Sequence, residues 1–154
     1  MAAYFFDSSA LVKRYVQETG TAWVLRVTDP AAGHSIYVAR ITGVEVVSAL
    51  TRQTRSGALS PTVTATALAA FRHDFAHQYY TVDITPMVVN RAMNVAETHA
   101  LRGYDAVQCA VALVVHMYRR ALGMPTLMLV SADATLNSAA AAEGLLVDDP
   151  NVHP

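Results

Sequence analysis

The sequence predicts an α/β fold of three layers, α/β/α, around a mostly parallel sheet, and three observations carry that expectation. Short apolar runs alternate with longer segments of helical periodicity along the whole chain. The 154 residues are 53% hydrophobic and only 15% charged, so the interior is large relative to the solvated surface. One helical segment, Ala106 to Met117, is interrupted only by Gln108, Cys109 and His116. A helix apolar nearly all round belongs inside the molecule.

The length is that of one domain, spanning 1–154, and no stretch reads as a linker, an internal repeat or a low-complexity segment. This composition excludes disorder. So much apolar surface in a small chain also implies that a partner covers some of it. The apolar runs fall short of the roughly 20 residues that span a bilayer, and the start, Met1 to Asp7, meets an acid too early for a secretory signal. The lone Cys109 can form no intrachain disulfide, which fits a reducing cytoplasm.

Ala3-Tyr-Phe-Phe6 is a short buried strand, and Asp7-Ser-Ser leads from it into a helical pattern, Ala10 to Val16. Asp7 therefore either lies where open α/β sheets bind ligands, at the C-terminal edge of a strand, or caps the helix, a role that Ser8 fills equally well. Thr19 to Thr28 is a second helix with Trp23, Val24 and Val27 at helical spacing, ended by Asp29-Pro-Ala-Ala-Gly33. Ser35 to Ala39 is a second strand and Arg40 to Thr54 a helix whose only acid is Glu45. Glu45 shares a face with Thr42, Ser48, Ala49 and Arg52. These small neighbours leave room for its carboxylate to enter a cleft, the alternative being an exposed pair with Arg52.

Ser60-Pro61 and Thr85-Pro86 each put a capping hydroxyl before a first-turn proline, opening helices over Pro61 to His77 and Met87 to Ala100 on either side of a strand, Tyr79 to Asp83. His73 and His77 have zinc-like spacing, but Asp74 stands where a general-base Glu belongs and no third ligand is evident, so they read as a polar helix face. Gly103 breaks the chain ahead of the apolar helix, and Asp105 falls at its head, where the peptide dipoles favour an acid. After Met124-Pro125, Thr126 to Val130 is the clearest strand and leaves through Ser131-Ala-Asp133. Ala134 to Glu143 is a final helix closed by Gly144, and Leu145 to Val147 a last strand.

Four of the twelve acids stand apart. Asp7 and Asp133 leave strand ends, Asp105 heads the apolar helix, and Glu45 sits among small residues. Brought together in one low-dielectric cleft, four carboxylates repel and cannot all stay ionised without cations. Oxygen-only ligands favour Mg2+ or Mn2+ over zinc.

These residues resemble the PIN domain, a metal-dependent ribonuclease fold found in VapC-type toxins. The resemblance rests on Tyr-Phe-Phe-Asp7-Ser-Ser-Ala-Leu-Val-Lys, Ile-Thr-Gly-Val-Glu45-Val-Val-Ser-Ala-Leu, Leu-Arg-Gly-Tyr-Asp105-Ala-Val-Gln-Cys-Ala and Leu-Val-Ser-Ala-Asp133, and spans nearly the whole chain. It implies Asp7, Glu45, Asp105 and Asp133 as the catalytic, metal-holding acids of an RNA-hydrolysing enzyme, with Ser8 and Ser131 as supporting hydroxyls. It also implies a cognate antitoxin and a homodimer. Many relatives carry a further acid two positions after the last one, where this chain has Thr135.

Lysine and arginine total 11 against 12 acids, a formal net charge of −1, so phosphate contacts have to come from local clusters. Lys13 and Arg14, about two helical turns after Asp7, are the best-placed pair. A haloacid dehalogenase-like phosphatase needs an Asp where this chain has Ser9, and a receiver domain needs a late Lys, whereas Lys13 is the only lysine. The remaining alternative is a PIN-like module that binds RNA or protein without cutting, against which four intact acids count.

Overall fold

In the computed structural model, which describes residues 1–153, the apolar runs form five short strands: β1 (Ala3–Phe6), β2 (Ser35–Ala39), β3 (Tyr80–Val82), β4 (Leu127–Val130) and β5 (Leu146–Asp148). All pair in parallel, in the order β3-β2-β1-β4-β5. The chain thus builds outward from β1 on one side and then crosses to build on the other. A switch point between β1 and β4 follows, the place where open α/β sheets form a crevice at their strand C-termini.

Side chains alternate across this sheet with period two. Ala3, Phe5, Leu127 and Leu129 face one way, into a core with α5 (Pro86–His99), α6 (Gly103–Ala121) and α7 (Ala134–Ala142). Phe6, Ile36, Val38 and Val130 face the other way, against α1 (Ser8–Leu11), α2 (Thr21–Val27), α3 (Arg40–Arg55) and α4 (Pro61–His77). This is the three-layer arrangement expected, with every strand parallel. Helix α6 is the apolar segment singled out above, and Cys109 to Ala112 within it are fully buried. No helix among the described residues is long and apolar enough to cross a membrane.

The predicted caps form. The Ser60 and Thr85 hydroxyls accept from the Val63 and Val88 backbone N–H groups at 3.2 and 3.3 Å, each before a proline. One element differs. The helix expected over Ala10 to Val16 stops at Leu11 and continues as a 3-10 turn, Val12–Arg14. The Arg14 guanidinium and the Tyr15 hydroxyl reach Asp74 on α4 at 3.1 and 2.9 Å, long-range bonds that local periodicity does not register. A C-terminal 3-10 turn, Pro150–Val152, packs on the start of α2. There Gly20 adopts a left-handed φ of 86° directly against the Pro150 carbonyl.

An alanine Cβ at Gly20 would lie 2.1 Å from the Pro150 oxygen, whereas Gly57, at a similar φ of 84°, has nothing within 4 Å. Gly20→Ala is therefore expected to cost roughly 2–4 kcal/mol in urea denaturation, from backbone strain plus the clash, and Gly57→Ala about 1–2 kcal/mol from backbone strain alone. Equal losses at the two sites would rule out the Gly20–Pro150 contact as the cause.

Candidate metal centre

The site begins with strand register. Phe6 of β1 stands beside Val130 of β4, and the Asp7 N–H donates to the Val130 carbonyl at 3.1 Å. Asp7 and Ser131, the next residue of each strand, consequently leave the sheet side by side. The Ser131 hydroxyl donates to Asp7 Oδ2 at 2.8 Å, the Ala10 N–H to Oδ1 at 3.0 Å, and Ser9 Oγ lies 2.8 and 2.9 Å from the two oxygens. Both hydroxyls are oriented from behind: Ser9 Oγ accepts from the Ala132 N–H at 3.0 Å and Ser131 Oγ from the Asp133 N–H at 3.1 Å. Their protons are thereby directed at the carboxylate. Ser9 has one proton for two oxygens, so an acceptor position on Asp7 stays open.

Asp7 is 3% exposed. Burial pushes its carboxyl from 3.8 up to about 6, the bonds from Ser9, Ala10 and Ser131 hold it down, and the Glu45 charge adds to the rise. Glu45, half-buried on α3, accepts from Gln108 Nε2 at 2.6 Å and from the Ser8 hydroxyl at 3.2 Å. Gln108, buried on α6, is anchored by the same nitrogen to Thr42 Oγ1 at 2.9 Å. Burial raises the Glu45 carboxyl as well, with Asp105 contributing. Asp105, in the first turn of α6, is raised by burial and then by Asp133, with Arg102 opposing. Asp133 caps α7 through Oδ1, which accepts from the Thr135 and Leu136 N–H groups at 2.8 and 3.0 Å.

The four acids form a chain of mutual repulsion, Asp7 to Glu45 to Asp105 to Asp133. Glu45, Asp105 and Asp133 line one cleft of about 580 Å³ together with Arg102, Gly103, Tyr104 and Val107. Asp7 is buried rather than part of that lining. Among the described residues no three carboxylates, imidazoles or thiols stand close enough to enclose an ion, so the acids border a cleft rather than form a closed cage. The donor chemistry fits a hard divalent cation all the same. The available donors are carboxylate oxygens, and burial disfavours the ionised forms of Asp7, Glu45 and Asp105; Gln108 Oε1 is a further buried acceptor with no donor.

Other positions depart from expectation. Ser8 and Ser131 each bond one of the four acids, Ser8 to Glu45 and Ser131 to Asp7, but Ser9, which was not expected, also stands beside Asp7. Lys13 and Arg14, expected to meet RNA, are committed internally. Lys13 is 5% exposed and pairs with Glu18 at 3.1 Å; Arg14 bonds Asp74, the Thr28 carbonyl and Gln78. Neither lines the cleft. His73 and His77 are exposed and stack on each other with ring centres 4.6 Å apart, the polar face that was expected. Gln108, Arg102 and Tyr104 were not anticipated. The only hint of Gln108 was an amide within an otherwise apolar helix.

No family model matches the chain. Ribonuclease VapC45 of Mycobacterium tuberculosis is 32% identical over 154 residues, covering all of both chains. Ribonuclease VapC49 of another strain of that organism matches with the same identity and coverage. Among solved structures, PAE2754 from Pyrobaculum aerophilum is similar over 99% of this chain and 86% of that one, with a TM-score of 0.65 at 17% identity. A toxin-antitoxin complex from Klebsiella pneumoniae aligns over 96% of this chain and 97% of its own, with a TM-score of 0.63 at 16% identity. VapBC2 from Rickettsia felis, solved bound to a promoter DNA fragment, gives a TM-score of 0.61 at 12% identity over 96% of this chain and 98% of its own.

The raised Asp7 carboxyl makes stability depend on pH in a definite direction. Between 3.8 and about 6 the folded chain keeps a proton that the unfolded chain has lost. Its contribution is fully present below 3.8 and disappears as pH rises through about 6. In the presence of a chelator, urea unfolding should therefore show stability falling by up to about 3 kcal/mol from this group between pH ~4 and ~7, with the fall shallower in Asp7→Asn. Identical slopes in the two proteins would exclude Asp7 as the titrating group.

Proposed function

The chain belongs to the VapC ribonuclease family of PIN-domain proteins, and on that footing we propose that it is the RNA-cleaving toxin of a type II toxin-antitoxin pair, with Asp7, Glu45, Asp105 and Asp133 as its metal-dependent machinery. The observation that carries this reading is the cleft that Glu45, Asp105 and Asp133 line together, with the buried Asp7 near enough to Glu45 for the two charges to repel. Mg2+ or Mn2+ is the ion the oxygen donors suit. When bound, it would supply acidity to the attacking water and neutralise charge developing on the phosphate and leaving oxygen.

The chain's own residues divide the remaining work. Asp7, with one acceptor position open, is oriented by Ser9, Ser131 and the Ala10 N–H, which would hold it in place as the innermost ligand. Asp133 has Oδ1 fixed at the helix cap and Oδ2 left for the cleft. Asp105 lies between Glu45 and Asp133 and completes the anionic wall. Glu45 is held from both sides by Ser8 and Gln108, and its raised carboxyl equally suits metal ligation or acceptance of a proton from water. Thr135, exposed at the start of α7, brings no fifth acid.

A protein antitoxin is the proposed partner, in keeping with the toxin-antitoxin complex and the VapBC structures that share the fold. A homodimer would cover some of the apolar surface still exposed, including Val44 on α3 and Met87 and Met93 on α5. A cytoplasmic setting is the proposed one, in keeping with RNA as substrate.

Asp7→Asn and Asp105→Asn are each expected to lower cleavage of single-stranded RNA in MnCl2 by roughly 10²-fold or more while far-ultraviolet circular dichroism stays that of the wild type. Saturating Mn2+ should raise the wild-type melting temperature by on the order of 5 °C and leave both variants nearly unmoved. Full metal-dependent cleavage in either variant would refute the assignment.

A further inference from the structure

The electrostatics of the cleft set a problem that Tyr104 answers. RNA is a polyanion, yet this chain has a formal net charge of −1, and its cleft sets three carboxylates against one cation, Arg102. Lys13 and Arg14 are tied to Glu18 and Asp74. Phosphate contacts alone give such a surface little hold on single-stranded RNA. The other general source of affinity for single strands is stacking of bases on aromatic rings, which works with any base because every base has a π-face.

Tyr104 is the second residue of α6, next to Asp105, and it lines the same cleft as Glu45, Asp105 and Asp133. It is 63% exposed and belongs to neither hydrophobic cluster, so folding does not explain a large aromatic there. Val107, one turn on along the helix, continues the apolar part of the lining. Arg102, just before α6, lines the same cleft, which puts a cation beside the acids. An aromatic face, an apolar floor and a single cation at the edge of an anionic cleft are what one unpaired nucleotide needs.

Resting on the ribonuclease reading, we propose that Tyr104 is the platform on which one unpaired RNA base stacks beside the scissile phosphate, and that Arg102 holds the adjoining phosphate. Tyr104 is a positioning and selectivity residue. It fixes which phosphodiester is presented to the acids and takes no part in proton transfer. Purines, with the larger π-surface, are held more strongly than pyrimidines.

The test compares two fluorescein-labelled probes of about twelve nucleotides, oligoadenylate and the same ribose-phosphate backbone without bases, by fluorescence anisotropy with the full-length protein in CaCl2. Wild type should bind oligoadenylate roughly tenfold or more tightly than the abasic strand. Tyr104→Ala should abolish that preference, Tyr104→Trp should keep it, and Arg102→Gln should weaken both probes alike and flatten the salt dependence. In MnCl2, Tyr104→Ala should raise KM for a random-sequence RNA pool and leave kcat largely intact. An undiminished preference for bases in Tyr104→Ala overturns the proposal even if wild type cleaves. A wild type that cleaves no RNA defeats the ribonuclease reading instead, and the probe comparison in CaCl2 still decides whether Tyr104 stacks a base.

Discussion

Parallel pairing of β1 with β4 is the constraint on which the molecule turns. It joins strands more than a hundred residues apart in sequence, places Phe6 beside Val130, and so delivers Asp7 and Ser131 together at the point where the sheet's connections reverse direction. A slip of one residue would carry Phe5 and Phe6 to the wrong faces and exchange one core for the other. The packing that fixes the fold therefore also fixes the deepest residue of the site, since the side chains that set the register immediately precede the acid.

Around that residue, hydrogen bonding and desolvation oppose each other. Removing a carboxylate from water disfavours its charge, and at Asp7 the hydroxyls of Ser9 and Ser131 with the Ala10 N–H offset only part of that cost. The other three acids are only partly buried: Glu45 has two donors, Asp105 sits at a helix start, and Asp133 is tied by one oxygen to a helix cap. The contrast is between one desolvated carboxyl and three at the open cleft.

Much of this was legible in the residues. Strands β1 and β2, the Ser60-Pro61 and Thr85-Pro86 helix starts and the buried character of α6 follow from period and cap chemistry, which are local properties. The convergence of Glu45, Asp105 and Asp133 on one cleft follows from an acid at a strand end, an acid at a helix start and an acid on a helix face of small residues, all in a parallel sheet architecture. What local reading could not reach was partner choice. Lys13 and Arg14 look free in sequence, but Glu18 and Asp74 hold them, one of these five residues away and the other sixty. Ser8 and Ser9 are equivalent as letters, and only the turn of α1 decides that one meets Glu45 and the other Asp7. Gln108 gains its meaning from Glu45 across an interhelical gap. Tyr104 was read past because an exposed aromatic interrupts no periodic pattern.

The bond from Ser131 to Asp7 closes a loop of 124 residues, and its consequence is one of timing. During translation, at roughly 5–20 residues per second, β1 leaves the ribosome long before its neighbour β4 exists, so the innermost acid has no wall to stand against. A nascent chain that has passed Glu45 and even Asp105 still lacks the hydroxyl and the strand that hold Asp7 in place. A chain that ends before Leu127 can form neither the β1–β4 ladder nor the hydroxyl bond to Asp7, so the surroundings of this carboxyl are among the last parts of the fold to be completed.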